Sequence, residues 1–270
     1  MAKTDSRQSR TIEDFGEQWQ TFDDLDHGFY GEEILFDDLL TPYVSAEDVQ
    51  GKYVAEIGSG TGRIVSMLVN AGAGKVLAIE PSAAYEVLLR NTRAIAERLV
   101  YLHATGAEIP AGEDLDYIFS IGVIHHIPDP APTIDAAFQA LRPGGKLLIW
   151  LYGREGNEFY LSLVTPLRWL TTRLPSKVVL GLAWLMWLPL IAYIHAARVL
   201  PLPMRGYARG LLKRLTHRQL VATIYDQLKP TYARYYTRDE AQELLQRAGF
   251  ADVKSHHRHG YSWLVCGTRR

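Results

Sequence analysis

The sequence is poor in cysteine, and each sign of charge is missing from one long stretch. Its single cysteine, Cys266, excludes an intramolecular disulfide framework and lies in an apolar run, which predicts a buried thiol in a reducing compartment. Residues 1–10 lack the apolar stretch of a secretory signal peptide. We therefore expect a cytoplasmic protein.

Lysine and arginine are absent from 11–51, where there are twelve acidic residues. Acidic residues are absent from 159–225, where there are nine lysines and arginines. This asymmetry predicts a polarised surface with an anionic partner on the basic side, or else pairing of the two segments within the molecule. The net charge of −1 gives no reason to expect a nucleic-acid partner.

Glycine, in contrast, is concentrated in one short turn. Gly58, Gly60 and Gly62 follow the apolar run 53–55 and precede apolar residues at helical spacing in 64–69. Glycines let the backbone approach a ligand closely, and a helix N-terminus offers free N–H groups. A strand, this turn and a helix together predict a cradle for a small ligand.

Strand and helix patterns alternate on both sides of the turn. One or two helices are expected within 12–40, followed by strands at 52–57, 76–79, 99–103, 117–121 and 146–151 and helices at 61–71, 82–98 and 131–141. A helix beginning near Thr237 and an antiparallel hairpin, 251–257 with 261–267, close the chain. The pattern predicts an α/β fold with five parallel strands and a C-terminal hairpin.

The alternation of strand and helix patterns, and its interruption, divide the chain into three parts. Residues 1–51 form a helical segment that lies either over the ligand or on the edge of the sheet, and 52–152 with 237–270 form the sheet core. Residues 153–236 interrupt the core as an apolar and basic helical insertion.

Further polar residues follow the other predicted strands. Glu80 ends the second strand about 20 residues after the glycines, where a carboxylate accepts hydrogen bonds from ribose hydroxyls. The loop 105–108 follows the third strand, and His125 and His126 follow the fourth. Since the carboxyl ends of the strands in an open α/β sheet face one crevice, these residues are expected to meet there.

On the stretches 54–63, 79–81, 121–130 and 141–145, the chain resembles class I S-adenosylmethionine-dependent methyltransferases of the ubiquinone and menaquinone methyltransferase branch. The resemblance implies a seven-stranded sheet whose last strand is antiparallel, and S-adenosylmethionine as cofactor. A nicotinamide-dependent dehydrogenase is disfavoured, because the third glycine comes one residue earlier than its Gly-x-Gly-x-x-Gly pattern requires.

The resemblance also implies the residues that contact the cofactor. Glu56 would lie near its amino group and Ile121 near its sulfonium, while Thr105 stands where relatives often have an aspartate for the adenine. The full set of implied contacts is Trp19, Glu56, Gly58, Ser59, Gly60, Gly62, Glu80, Pro81, Thr105, Gly106, Ala107, Ile121 and Gly122.

Methyl transfer from a sulfonium is an in-line displacement that depends mainly on positioning, and it needs a base only for a weakly acidic acceptor. His125 or His126 is the candidate base; the alternative is that they only shape the loop and pack. His256, His257 and His259 are not expected to bind a metal, because strand alternation points neighbours to opposite faces.

The insertion contains seventeen residues without charge, 178–194, flanked by basic residues. A complete membrane span is excluded, since the strands before and after the insertion join one sheet. Residues 160–218 are expected either to lie on an anionic membrane, at the inner face of the cytoplasmic membrane, or to form a helical lid packed on the domain or in a homodimer. Pro189 would break the run into two helices, and 204–215 would lie amphipathically in the headgroup region.

Four residues that close the insertion are expected to form the acceptor side of the crevice: Tyr225, Tyr232, Arg234 and Tyr236. The sequence thus predicts a methyltransferase acting on a small acceptor with an apolar or lipid-like part. The alternative is a protein with the cofactor fold that binds a membrane surface or a partner without turnover.

Overall fold

The structure is a computed structural model that describes residues 6–24 and 33–270. Of the predicted N-terminal segment, residues 1–5 and 25–32 lie outside the described part. Two helices are described in the remainder of that segment, α1 (Ser6–Thr21) and α2 (Glu33–Leu40).

Seven strands form a single sheet in the order β3-β2-β1-β4-β5-β7-β6. The strands are β1 (Tyr53–Ile57), β2 (Lys75–Ile79), β3 (Leu99–Leu102), β4 (Leu115–Ile121), β5 (Leu141–Tyr152), β6 (Ala251–Arg258) and β7 (Ser262–Thr268). The first five are parallel, and β7 runs antiparallel between β5 and β6. The predicted architecture is confirmed.

Eight further helices connect and cover the strands. They are α3 (Arg63–Asn70), α4 (Tyr85–Asn91), α5 (Ala131–Ala140), α6 (Glu158–Thr171), α7 (Ser176–Ala196), α8 (Arg205–Gly210), α9 (His217–Leu228) and α10 (Arg238–Arg247). Helices α6 to α9 make up the insertion between β5 and α10.

Side-chain alternation along each strand supplies both faces of the sheet with apolar residues. In β1, Val54 joins the core on one face together with α3, and Ala55 joins the core on the other face. Both residues are fully buried, as expected for a strand in the middle of a parallel sheet. Cys266 is a buried thiol within the first core, as predicted.

The predicted helix 82–98 is divided in the structure. Helix α4 begins at Tyr85 and ends at Asn91, and a 3-10 helix covers 93–98. The N-cap of α4 is Ala84, and the Ser82 hydroxyl accepts from the N–H of Ala84 at 3.1 Å while it donates to the Glu80 carboxylate. The prediction of one long helix over 82–98 was therefore wrong.

The insertion differs from its prediction in two places. Pro189 lies inside α7 without breaking it into two helices. Residues 204–215 form α8 and a short 3-10 turn, in which Ala208, Leu212 and Leu215 are buried against the core of the domain. Since this apolar side is covered by the protein itself, 204–215 does not form an amphipathic surface helix.

Candidate active site

The glycine turn between β1 and α3 is tied to the neighbouring strand. The backbone N–H groups of Gly58 and Ser59 both donate to the carbonyl oxygen of Ile79, at 2.8 and 2.9 Å. Gly58 has a φ of +76°, and a Cβ at this position would lie 2.4 Å from a methyl carbon of Val123. Only glycine fits here without a shift of the neighbouring loop.

Glu80 stabilises the turn through hydrogen bonds. Its buried carboxylate accepts hydrogen bonds from the N–H of Gly60 at 2.8 Å, the N–H of Ser82 at 2.9 Å and the Ser82 hydroxyl at 2.5 Å. These three donors fix the carboxylate at the carboxyl end of β2, beside the crevice. Glu80 therefore has a structural function in the turn in addition to its predicted contact with the cofactor.

Glu56, at the end of β1, is a buried acid with an unsatisfied oxygen. Its Oε2 atom has no hydrogen-bond partner among the residues that the structure describes. Burial raises the pKa of Glu56 to about 8, although the charge of Arg63 opposes the shift. A cationic amino group placed beside this carboxylate would satisfy it.

Helix α1 lies directly over the turn. The indole nitrogen of Trp19 is 3.3 Å from the position that a Cβ would take at Gly60. Gly16 allows this close approach, since a Cβ there would lie 3.1 Å from the backbone nitrogen of Ala83. A buried ion pair between Asp14 and Lys229, at 2.7 Å, joins the same helix to the end of α9.

One cavity of about 900 Å³ extends from the glycine turn to the space beneath the insertion. At one end it is bordered by the turn, Glu80 and Ile121. At the other end the lining is mostly apolar and comes from α6 to α9; it includes Leu163, Val164, Leu167, Met186, Leu190, Leu211 and Ile224. The volume is large enough for a cofactor and an acceptor together.

The two predicted histidines have different environments. His126 lines the cavity, and its Nδ1 lies 2.7 Å from the carbonyl oxygen of Tyr232. Since a carbonyl only accepts, Nδ1 carries the proton and Nε2 keeps its lone pair. Burial lowers the pKa of His126 to about 4, so the ring is neutral at physiological pH. The edge of Phe15 contacts this ring, with centroids 4.7 Å apart.

His125 does not reach the cavity. It is fully buried beneath Tyr152, with ring centroids 3.8 Å apart. Burial and the neighbouring His126 lower its pKa well below the ordinary value. Of the two candidate bases, the structure therefore places only His126 where an acceptor would bind.

A polar cluster lies beside His126, where the crevice meets the insertion. The Tyr152 hydroxyl donates to Asp226 at 2.6 Å, and Gln18 of α1 donates to the other oxygen of the same carboxylate at 3.1 Å. Gln227 donates to the Tyr152 hydroxyl at 2.8 Å. Burial, reinforced by Asp226, raises the pKa of Tyr152 well above its ordinary value, so this hydroxyl stays protonated.

Arg168 supports the cluster from α6. Its guanidinium donates to the backbone oxygen of Gln227 at 2.8 Å and to the Tyr235 hydroxyl at 3.2 Å. The Tyr160 hydroxyl donates to the Gln227 side chain at 2.8 Å. Arg168 is one of the basic residues that precede the uncharged run 178–194 in the sequence. Its contacts with Gln227 and Tyr235 depend on tertiary packing, which no local sequence pattern indicates.

Most of the predicted cofactor contacts border the cavity. These are Trp19, Glu56, Gly58, Ser59, Gly60, Glu80, Pro81, Thr105, Gly106, Ile121 and Gly122. The Thr105 hydroxyl donates to Glu108 at 2.8 Å within a capping box. Gly62 and Ala107 lie outside the lining: Gly62 caps α3 and faces Thr92, and Ala107 is exposed.

The residues predicted on the acceptor side do not line the cavity. Tyr225 packs against Phe22 in the core of the insertion. Arg234 is exposed and pairs with Glu240, at 2.9 Å. Tyr236 is fully buried in the core of the sheet.

Tyr232 contributes to the site only through its carbonyl oxygen, which faces His126. The neighbour of Tyr236 in sequence, Tyr235, lines the cavity in its place. Residues 232–235 have no regular secondary structure, and Tyr236 makes an isolated bridge with Gly153. In this segment Tyr236 is buried in the core while Tyr235 lines the cavity.

Part of the charge asymmetry is satisfied within the molecule. Arg218 of α9 pairs with Asp23 and Asp24, at 3.8 and 3.0 Å. In the described ranges no three His, Cys, Asp or Glu residues are arranged to hold a metal ion. His257 stacks on Trp263, with ring centroids 4.2 Å apart.

Comparison with known proteins identifies the family. A model of the family described as "Methyltransferase domain" matches residues 31–255, most of the chain. The chain belongs to this family of S-adenosylmethionine-dependent methyltransferases. A methyltransferase from Aquifex aeolicus has a similar fold, with a TM-score of 0.53 at 15% identity, covering 94% of this chain and 98% of that chain.

Two curated relatives are tRNA U34 carboxymethyltransferases. The protein from Hahella chejuensis is 30% identical over 131 residues, which cover 47% of this chain and 39% of that protein. The protein from Idiomarina loihiensis is 29% identical over 120 residues, 42% of this chain and 36% of that protein. The chain thus spans about two fifths of the length of these relatives. Their name does not support the predicted ubiquinone and menaquinone branch, and it conflicts with the expectation of no nucleic-acid partner.

The residues at the glycine turn fit the cofactor, S-adenosylmethionine. Its ammonium would supply the partner that Glu56 Oε2 lacks among the described residues. The positive φ of Gly58 and the close approach of Trp19 to Gly60 make a narrow cradle with no room for a side chain. Glu80 stands at the edge of the same cradle, at the end of β2.

Proposed function

We propose that this methyltransferase acts on a small acceptor that has a nucleophilic hydroxyl or amino group at one end and an apolar body at the other. The observation that carries the proposal is the single cavity. It runs from the glycine turn past His126 and the polar cluster, and continues between the apolar side chains of α6 and α7. When bound, S-adenosylmethionine supplies an electrophilic methyl group that the acceptor takes by in-line displacement.

His126 is proposed to hold the reacting group. Its neutral ring keeps a lone pair on Nε2, because Nδ1 donates to the Tyr232 carbonyl. That nitrogen would accept a hydrogen bond from the acceptor's O–H or N–H and take the proton as the new bond to carbon forms. Tyr152 and Asp226 lie next to His126 and would orient the same polar end, with the rings of Tyr152 and His126 5.7 Å apart.

The apolar body would lie along the insertion. Leu163 and Leu167 of α6 line the cavity, as do Met186 and Leu190 of α7. An extended hydrocarbon chain would exclude water from these side chains, and each buried methylene stabilises such binding by about 0.8 kcal/mol. The helices of the insertion would then act as the lid over the acceptor.

The test is formation of S-adenosylhomocysteine from a panel of amphiphiles with hydroxyl or amine head groups, with tRNA as a separate acceptor. The wild type is expected to turn over members of the panel, and His126→Ala should lower kcat by about a hundredfold with unchanged cofactor affinity. His195→Ala, at an exposed histidine on α7, is the matched control and should have wild-type activity.

Turnover of tRNA without turnover of any amphiphile would contradict the proposal. Cofactor binding without turnover of any acceptor would favour the non-catalytic alternative.

A further inference from the structure

The exposed apolar side chains of the described residues are concentrated in the insertion. Among the side chains that the structure describes, in 6–24 and 37–270, all eleven large apolar ones classed as exposed lie between Phe159 and Leu200. Those with the greatest exposure on the helices include Trp169 at 65% and Leu185 at 66%. Such a concentration of exposed apolar side chains indicates an interaction surface.

Helix α7 provides the centre of this surface. Val179 and Ala183 are buried on the side that packs against α9, whereas Leu185 and Leu188 are at least 60% exposed on the other side. By length and composition α7 is apolar enough to cross a bilayer. It cannot cross here, because one side is packed on the domain and the chain returns to the same sheet in β7.

We infer that the outer surface of α6 and α7 docks onto an anionic lipid bilayer, with α7 lying in the plane of the headgroups. This docking surface is defined by the exposed apolar residues between Phe159 and Leu200 and by the basic residues Arg173, Lys177 and Arg198. A helix in this position buries its apolar side in the acyl boundary and leaves its packed side on the protein.

The charges around α7 select the bilayer over a second copy of the chain. Arg173 and Lys177 lie at its N-terminal end and Arg198 just beyond its C-terminal end, all exposed. None of the three pairs with an acidic side chain in the part of the chain that the structure describes. No acid occurs between 159 and 225, and Glu17 of α1 contacts Ser176 at the start of α7. Two copies meeting through this surface would therefore bring mainly cations together. Anionic headgroups supply the opposite charge.

The cavity reaches this surface. Phe159, Leu163 and Met186 line the cavity and are also 65%, 59% and 37% exposed. An amphiphilic acceptor dissolved in the bilayer would therefore enter between α6 and α7 without passing through water. This entry route rests on the proposed function, whereas the docking does not depend on it.

The test is flotation of the full chain with vesicles of phosphatidylcholine, with and without phosphatidylglycerol. The wild type is expected to bind the anionic vesicles. Leu185→Gln with Leu188→Gln should lower the partition coefficient by about a hundredfold, and Arg173→Gln with Lys177→Gln by roughly thirtyfold. Lys75→Gln with Arg93→Gln, at exposed cations on the β2–β3 side of the sheet, is the charge-matched control and should bind like the wild type.

Folding and cofactor binding are measured in parallel on the same variants by circular dichroism and calorimetry, and both should match the wild type. Equal binding to neutral and anionic vesicles, or full binding by the leucine variant, would overturn the inference. So would a dimer in sedimentation that the leucine substitutions dissociate, because a second copy would then cover the surface. Failure of docking with retained turnover of a water-soluble acceptor would leave the proposed function intact.

Discussion

The sheet core and the helical insertion build their polar contacts in different ways. In the core, Glu80 is held by Gly60 and Ser82, which lie 20 and 2 residues away. In the insertion, Arg168 reaches Gln227 across 59 residues, and Tyr152 reaches Asp226 across 74. The cofactor end of the cavity is therefore encoded in short motifs, and the acceptor end exists only once distant segments have packed together.

The two regions also differ in what they expose. The strands bury nearly all their apolar residues between two layers of helices, whereas α6 and α7 leave theirs on the surface. Apolar side chains that served only the stability of the fold would be buried. The difference indicates that the exposed side chains of the insertion serve binding, whereas the buried side chains of the core keep the cofactor site rigid.

The largest expected effect is on cofactor affinity, from a substitution at Gly58, where the core has no room for a side chain. Gly58→Ala should weaken S-adenosylmethionine binding by more than about a hundredfold, since the new Cβ would strain a positive φ and collide with Val123. Gly51→Ala is the matched control, with a φ of +71° and no atom within 4 Å of the new Cβ. It should lose about 1 kcal/mol of stability and keep its affinity. Equal affinities in calorimetry would contradict the assignment of the turn.

The next effect concerns the contact that joins α1, which lies over the glycine turn of the core, to the end of α9 in the insertion. Lys229→Met should lower the free energy of unfolding by about 3 kcal/mol, because Asp14 would be left buried without its cation. The double variant Asp14→Leu with Lys229→Met should recover part of that loss. Urea denaturation measures both variants. A single variant as stable as the wild type would show that α1 is not anchored to the insertion through this pair.

A smaller effect on cofactor affinity is expected from the protonation of Glu56. Its raised pKa of about 8 means that the acid is largely protonated at pH 7 before the cofactor binds. An ammonium beside it favours the carboxylate, so binding should release a proton and tighten as pH rises from 6 towards 8. Calorimetry in buffers of different ionisation enthalpy counts the proton. Glu56→Gln should remove the release, and a release retained in that variant would exclude Glu56 as its source.

The smallest effect is expected from the titration of His126. With its pKa lowered to about 4, the ring is neutral from pH 6 to 8, and loses its free lone pair only on further acidification. The His126-dependent part of kcat, the ratio of wild type to His126→Ala, should therefore be constant between pH 6 and 8. A rise in this ratio through the ordinary histidine range, near pH 6.5, would contradict the buried environment of the ring.

The positions of the strands along the chain, the terminal hairpin and the glycine turn could be predicted because each has a local pattern. Alternation in β1, glycines in the turn and Glu80 after β2 are separated by no more than about 20 residues. The limits of α4 could not be predicted, because the helical spacing of 82–98 does not show where an α-helix gives way to a 3-10 helix, as it does at Thr92. The Ser82 hydroxyl contacts both Glu80 and the Ala84 N–H ahead of the helix.

The acceptor end could be predicted only in outline. An apolar insertion indicated an acceptor with an apolar part, but the sequence does not show which of the adjacent side chains Tyr235 and Tyr236 faces the cavity. Asp226 and Arg168 had no motif that distinguished them from surface residues. Their pairing with Tyr152 and Gln227 is fixed by the packing of α6 and α9, which contact each other in the folded chain.

The central claim is that one cavity joins the methyl donor to an apolar acceptor site. It is tested most directly by kcat/KM for a series of acceptors with one head group and an unbranched tail of increasing length. The account predicts that kcat/KM rises by about fourfold for each added methylene until the tail fills the space between α6 and α7. A kcat/KM that is independent of tail length, or highest for the shortest acceptor, would contradict it.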